Sequence, residues 1–280
     1  MYIEQTIANV KRQIKEWRSQ GFRVGLVPTM GYLHEGHQSL IRRAVEENDK
    51  VVVSIFVNPI QFGPKEDLES YPRDLDADCA LCEKNGAAMV FCPEVSEMYG
   101  EGFSTYVDMG GVTAELCGKS RPIHFRGVCT VVCKLFHIVT PDRAYFGEKD
   151  AQQLAVIRHM VRDLNMDVEV VGCPIVREAD GLAKSSRNTY LSPEERKAAL
   201  VLSRSIQAGK AMIQAGEKDG DRILEEMRRI LSEEPLAKID YVEMVRWDTI
   251  EIHHRADVPV LVAIAVYIGT TRLIDNFISE

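Results

Sequence analysis

Apolar and polar positions along the 280 residues follow two alternating rhythms. Short apolar runs rich in branched residues fall at 22–28 (FRVGLVP), 50–57 (KVVVSIFV), 88–92 (AMVFC), 142–146 (DRAYF) and 167–171 (DVEVV). Runs of this length and composition read as buried strands. Between them lie stretches with helical spacing, near 4–19, 36–47, 74–85, 124–139 and 150–164. Strands that alternate with helices predict βαβ units and an α/β fold, with a parallel sheet covered on both faces. Ligands of such sheets bind beyond the carboxyl ends of the strands. That rule directs attention to 28–37, 58–65 and 147–153.

The rhythm changes after about residue 175. SPEERKAALVLSRSIQAGKAMIQAG opens with Ser192 as an N-cap, Pro193 at the first helical position and Glu195 three residues after the cap, the pattern of a capping box. A second helix is expected near 219–231. Three strand-like runs follow, IDYVEMV, VPVLVAIAVYI and TRLIDNFI, with GTT as a tight link between the last two. The expectation is a larger domain over residues 1–175 and a smaller C-terminal α+β domain over 176–280, the latter carrying an antiparallel sheet. No repeat or low-complexity segment interrupts either part.

Composition narrows the function classes. A hydrophobic content of 45 % supports a large core, and a net charge of −8 argues against nucleic acid as a partner, because phosphate backbones need a basic surface. MYIEQTIANVKRQIKEW lacks the apolar core of a signal peptide, and acidic Glu4 suits no transit peptide. No apolar run approaches the ~18 residues of a membrane span, so a membrane partner is not expected, and VPVLVAIAVYI reads as a buried strand. Seven scattered cysteines point to a reducing, cytoplasmic setting and away from a disulfide framework. Cys79 and Cys82 form a CxxC inside a helical pattern with no second pair to complete a metal site, and packing is the simpler reading.

The chemistry concentrates in four stretches. LVPTMGYLHEGHQSLIRRA (26–44) places His34 and His37 three apart, with Gly36 where a helix would begin. A zincin needs HExxH with the histidines four apart on a formed helix. A helix start, with its free N–H groups and partial positive charge, attracts phosphate instead. On spacing alone a phosphate site, structural histidines and a metal site all stay open. GVTAELCGKS (111–120) is no P-loop, since six residues separate its first glycine from GKS and Arg121-Pro122 follows. A GxGxxG fingerprint is absent as well. FGEKDAQQL (146–154) sets Lys149 at the end of a strand, with Gln152 and Gln153 behind it. ADGLAKSSRNTYLS (179–192) gathers Lys184, Ser185, Ser186, Arg187 and Asn188. Both stretches read as anion-binding donors or as ordinary solvated surface.

Taken together, VPTMGYLHEGHQSL, VVSIFVNPIQFGPKEDLESYPR, RPIHFRGV, YFGEKDAQQ and DGLAKSSRNTYLS resemble, in order and spacing, the pantothenate synthetase family. HEGH and KSSR are similar to the paired signatures of the class I aminoacyl-tRNA synthetase nucleotidyltransferase fold. The resemblance implies a Rossmann-like parallel sheet of that type. It also implies an ATP-dependent ligation of (R)-pantoate and β-alanine, giving pantothenate, AMP and pyrophosphate through a pantoyl-adenylate. Carried over position by position, Met30, Gly31, Tyr32, Leu33, His34, Glu35, Gly36 and His37 form the ATP-binding turn. His34 and His37 then meet the phosphates, His37 as proton donor. Gly147, Glu148, Lys149 and Asp150 line the nucleotide, with Lys149 on the phosphates and Val176 near the adenine. Lys184, Ser185, Ser186 and Arg187 form a second phosphate clamp. Where the family pattern has Met or Leu, this chain has Lys184, which adds a charge. Gln61 and Gln153 bind pantoate, Gln61 also lying near β-alanine. Mg²⁺ on the phosphates, a homodimer and a mobile cover from residues 62–75 are further implications.

The residue inventory suits that chemistry, because phosphoryl-type transfer asks a protein mainly for positioning and cationic donors. A plain nucleotidyltransferase and a non-catalytic nucleotide sensor are the alternatives, and a tRNA ligase lacks its basic domain. The sequence marks neither a base for the β-alanine ammonium nor the Mg²⁺ ligands, for which Asp74, Asp76 and Asp78 are candidates.

Overall fold

The computed structural model describes residues 1–64 and 66–279. The chain forms two compact units: Met1–Met109, Ile123–Glu148 and Val156–Pro174 in the first, Gly110–Pro122, Lys149–Ala155 and Ile175–Glu280 in the second. Two segments from within the first 175 residues therefore cluster with the C-terminal unit.

The first unit is built on a parallel sheet. In chain order it contains β1 (Tyr2–Glu4), α1 (Ile7–Ser19), β2 (Val24–Thr29), α2 (Glu35–Glu47) and β3 (Lys50–Ile55). Then come α3 (Leu75–Lys84), β4 (Met89–Phe91) and α4 (Val95–Met98). A short helix α5 (Cys117–Ser120) lies in the segment that groups with the second unit. α6 (His124–Val139), β5 (Arg143–Gly147), α7 (Ala151–Asp163) and β6 (Glu169–Cys173) complete the series, and the boundary between units passes through α7. The strand order is β1-β4-β3-β2-β5-β6, and every neighbouring pair is parallel. All five predicted strands are present, each within about two residues of its reading.

β1 is the strand that periodicity misses. It has three residues, mostly exposed, too few to show a period, and Thr6 then caps α1 by accepting from the Asn9 N–H. The helix consequently starts at Ile7 and not at Glu4. Chain order reverses direction in the sheet at β2, which has β3 on one side and β5 on the other. The carboxyl ends of β2 and β5 thus form a topological switch point, where open α/β sheets place their ligands. Beneath it, Val27, Ile41, Val53, Val90 and Tyr145 belong to one buried cluster. Each aliphatic side chain among them contributes about 1.5–3 kcal/mol by leaving water.

The second unit carries α8 (Pro193–Ala198), α9 (Leu200–Gln214), α10 (Gly220–Ser232), β7 (Ala237–Arg246), β8 (Val260–Ile268) and β9 (Thr271–Ser279). The predicted capping box is present, Ser192 and Glu195 exchanging hydrogen bonds. The single helix read after it is divided at Ala199. β8 is the centre of an antiparallel sheet in the order β7-β8-β9, so its apolar run is buried by strands on both sides and by helices. Leu202, Ile206, Ile223, Met227 and Leu231 pack with Val262, Ile264 and Val266 in one core. Among the described residues, no helix is long and apolar enough to cross a membrane.

One close approach positions the site. Gly127, on the first turns of α6, lies so near the 3₁₀ turn Pro59–Gln61 that an added Cβ would sit 2.5 Å from both Gln61 Cα and Ile60 O. Neither backbone atom can swing aside. Gly127→Ala should therefore cost about 1–3 kcal/mol as overpacking, read as a lower thermal midpoint; an unchanged midpoint would show that the turn is free to shift.

Candidate functional site

The turn after β2 is shaped by residues from three elements. Thr29 donates its hydroxyl to Ser54 O (2.8 Å) and accepts from the Gly31 N–H (3.2 Å). Gly31 (φ +84) and Tyr32 (φ +52) then reverse the chain through two successive left-handed residues. Only glycine adopts the first without strain, and a Cβ there would lie 2.9 Å from Asp78 Oδ2. Asp78, 3 % exposed, accepts from the N–H groups of Tyr32 and Leu33, both at 2.7 Å. Burial pushes its carboxyl above the usual carboxylate range, although the two N–H donors pull the other way. Asp78 is thus engaged with backbone and Asp74 caps α3 through the Ala77 N–H, so neither presents itself as a metal ligand.

The histidines follow directly. His34 is the N-cap of α2, in extended conformation. Its Nδ1 accepts from the Gly36 N–H at 3.1 Å, and His37 Nδ1 accepts from the His34 N–H at 3.3 Å. The two rings lie 4.1 Å apart, centroid to centroid. Expecting open N–H groups at this helix start requires correction, because the imidazoles themselves take two of them. The consequence is chemical. A neutral imidazole that accepts at Nδ1 carries its proton on Nε2, so both rings are set as Nε2–H donors. Among the described residues, no group of three or more His, Cys, Asp or Glu forms a metal cage.

Gln61 is buried and has its amide oriented by neighbours that sequence reasoning missed. Asn58 Nδ2 donates to Gln61 Oε1 (3.0 Å) and to Gly127 O (3.1 Å). Gln61 Nε2 is directed to the Met30 sulfur at 3.0 Å, and His124 Nδ1 meets Gln61 O at 3.1 Å. Met30 and Gln61, 31 positions apart, are therefore in contact. Gly147 ends β5, beside β2 in the sheet, and Glu148 follows it. Among the described residues between Gln61 and Leu75 there is neither strand nor helix, and the Phe62 and Tyr71 rings meet edge to face at 6.1 Å. Lys65, within the expected cover, lies outside the described residues.

In the second unit two segments are tied to neighbouring residues of β9. Asn276 Nδ2 donates to Lys149 O at 2.8 Å. Asp275, 1 % exposed, pairs with both terminal nitrogens of Arg177 at 2.7 and 2.9 Å. Arg177 begins a tight hairpin in which Lys184 N–H donates to Val176 O (2.9 Å), bringing Val176 and Lys184 together. The hairpin leads into Ser185, which caps the 3₁₀ turn Ser186–Tyr190 by accepting from the Arg187 N–H at 3.2 Å. Ser186 is buried, and Arg187 and Asp150 are more exposed. Gln152 Nε2 donates to Val112 O and Glu115 O (3.0 and 2.8 Å), mooring the 110–116 loop, while Gln153 is half-buried beside it. The CxxC is packing: Cys82 is fully buried, and burial pushes its thiol up to about 12, where it stays protonated and unreactive.

The sequence matches the family described as Pantoate-beta-alanine ligase over residues 2–278. The chain belongs to that family. Pantothenate synthetases of Ruminiclostridium cellulolyticum and Enterococcus faecalis are 64 % and 61 % identical to it, covering 97 % and 100 % of this chain and 96 % and 99 % of theirs. The crystal structure of pantothenate synthetase from Thermus thermophilus superposes with a TM-score of 0.94 at 47 % identity, over 99 % of both chains. That of the Francisella tularensis pantoate-beta-alanine ligase, described as complexed with beta-gamma ATP and beta-alanine, gives 0.82 at 32 % identity, over 99 % of this chain and 97 % of that one. The parallel sheet with a small antiparallel one, expected from the pattern of apolar runs and in agreement with the resemblance, is the fold this ligase family member has.

The Asp78 clamp has a measurable consequence. Asp78→Asn keeps the volume but turns an N–H donor toward one of two backbone N–H groups. A buried donor left unsatisfied costs about 1–3 kcal/mol. The variant should lose that much in urea denaturation and exchange the Tyr32 and Leu33 amide protons faster; parental protection at both amides would contradict the clamp.

Proposed function

We propose that this chain ligates (R)-pantoate and β-alanine to pantothenate, using ATP and releasing AMP and pyrophosphate through a pantoyl-adenylate. The observation that carries the proposal is the self-capped histidine pair at the carboxyl end of β2, each Nδ1 held by backbone and each Nε2 set as a donor. Family membership and the ligand names given for the Francisella relative support the same substrates.

In the first step a pantoate carboxylate oxygen attacks the α-phosphorus, a P–O bond forms, and the bond to pyrophosphate breaks. Negative charge grows on the phosphoryl oxygens and on the departing group, so fixed donors at those oxygens lower the barrier. His34 and His37 are assigned to them, His37 delivering a proton as pyrophosphate leaves. Lys149 and the Lys184–Arg187 clamp are assigned to the same phosphates, while Met30–Leu33, Gly147–Asp150 and Val176 line the nucleotide. Gln61 fits a pantoate oxygen because its own oxygen is occupied by Asn58, which leaves the amide N–H as the outward group. Gln153 is assigned to pantoate as well. In the second step the β-alanine amine attacks the activated carbonyl carbon, the C–N bond forms and AMP leaves.

Mg²⁺ fits as a companion of ATP: with no cage of ligating side chains among the described residues, phosphate oxygens and water would hold it, as this ion prefers. Bound there it would neutralise charge on the phosphates. The segment 62–75 is assigned as a cover over the bound substrates. Seven free cysteines suit a reducing cytosol, and we assign the enzyme there as a homodimer.

Labelled pyrophosphate should exchange into ATP when pantoate is present and β-alanine absent, and omission of pantoate should abolish the exchange. β-Alanine should be needed only for release of free AMP. His34→Ala or His37→Ala should slow the exchange by roughly 10²–10³, as loss of one such donor does. Exchange that needs β-alanine, or that proceeds without pantoate, would refute the two-step ligation.

A further inference from the structure

We propose that Tyr99, outside every motif that marks the family, is a positioning residue that fixes the pantoate-facing amide of Gln61 through Asn58. The relay is legible in donors and acceptors. Tyr99 O–H donates to Asn58 Oδ1 at 2.7 Å. Asn58, 1 % exposed, then directs its Nδ2 at Gln61 Oε1 (3.0 Å) and Gly127 O (3.1 Å). Reversing the Asn58 amide would set its oxygen against two acceptors, the Gly127 carbonyl and the Gln61 oxygen. With Asn58 fixed, Gln61 has a single compatible orientation, oxygen inward and Nε2 toward Met30. The relay therefore determines that Gln61 offers a donor and not an acceptor. A site built on a donor selects a substrate oxygen and rejects an analogue that lacks it.

Tyr99 is itself well seated. Its ring packs against Phe56 at 6.0 Å and Phe103 at 4.9 Å between centroids, and Lys134 Nζ lies 5.9 Å from its ring centre. Burial raises the pKa of its hydroxyl, which keeps the proton available for donation at every working pH. Phe at this position preserves the ring packing and removes only the relay's first donor.

The inference rests on the assignment of Gln61 to pantoate, and a double-mutant cycle separates the two. Tyr99→Phe should raise KM for pantoate about tenfold, the effect of losing one hydrogen bond to a buried acceptor, with KM for ATP changed less than about twofold. In a Gln61→Ala background the same substitution should add less than about twofold to pantoate KM, because the coupled residue is gone. A structural role alone would give independent losses in both backgrounds and would move both substrates together; either result overturns the relay. A raised pantoate KM in Gln61→Ala with an unchanged one in Tyr99→Phe also overturns the relay while sparing the Gln61 assignment. An unchanged pantoate KM in Gln61→Ala overturns that assignment and the relay with it.

Discussion

Two backbone N–H groups, those of Tyr32 and Leu33, converge on one buried carboxylate, Asp78, and the candidate site depends on that grip. The turn after β2 must change direction within three residues and then begin a helix. It does so with two left-handed residues, a conformation that costs energy for Tyr32. Buried N–H groups without partners would add to that cost. Asp78 offsets both from a different helix, at the expense of burying a carboxylate, whose upward-shifted pKa reflects the remaining penalty. Once the turn is fixed, His34 falls at the N-cap, and the short spacing to His37 lets the two side chains cap the helix reciprocally. The histidine tautomers thus follow from backbone geometry.

The second unit solves a related problem with a different device. Its donor-rich segments, around Lys149 and from Val176 to Arg187, are loops and 3₁₀ turns that no regular ladder holds. Two consecutive residues of β9 moor them, Asp275 through Arg177 and Asn276 through Lys149 O. A buried Asp–Arg pair is costly to break, since removing one partner strands the other charge. The strand that closes the antiparallel sheet therefore also moors candidate site segments distant in sequence.

Much of this is legible in the sequence where local signals carry it. Periodicity marks five of the six strands in the parallel sheet, and Ser192, Pro193 and Glu195 give the α8 start because capping is a local interaction. HEGH, NPIQF and FGEKD fall in the segments after strands to which the sheet rule points, and the family resemblance, which adds KSSR, assigns the candidate residues within them. What stays hidden is long-range or irregular. β1 is too short for a period. The grouping of 110–122 and 149–155 with the C-terminal unit depends on long-range contacts such as Asn276 with Lys149 O and Tyr241 and Arg272 with the Cys117 sulfur. The supporting roles of Asp78, Asn58, Tyr99, Asp275 and Asn276 give no local signal. Asp78 reads only as a candidate Mg²⁺ ligand and Asn58 only as a member of NPIQF, and nothing near Asp78 reveals that it reaches backbone 45 positions away.

Backbone holds both Nδ1 atoms and thereby sets both Nε2–H groups as donors, for which phosphate is the proposed acceptor. Nitrogen-15 NMR of the imidazoles, at a pH where they are neutral, tests this arrangement most directly. His34 and His37 should both show the Nε2–H tautomer in the free protein. Addition of a non-hydrolysable ATP analogue should perturb the Nε2 resonances, with Nδ1 keeping its acceptor shift. A proton on Nδ1 of either ring, or Nε2 resonances indifferent to the nucleotide, would contradict the account.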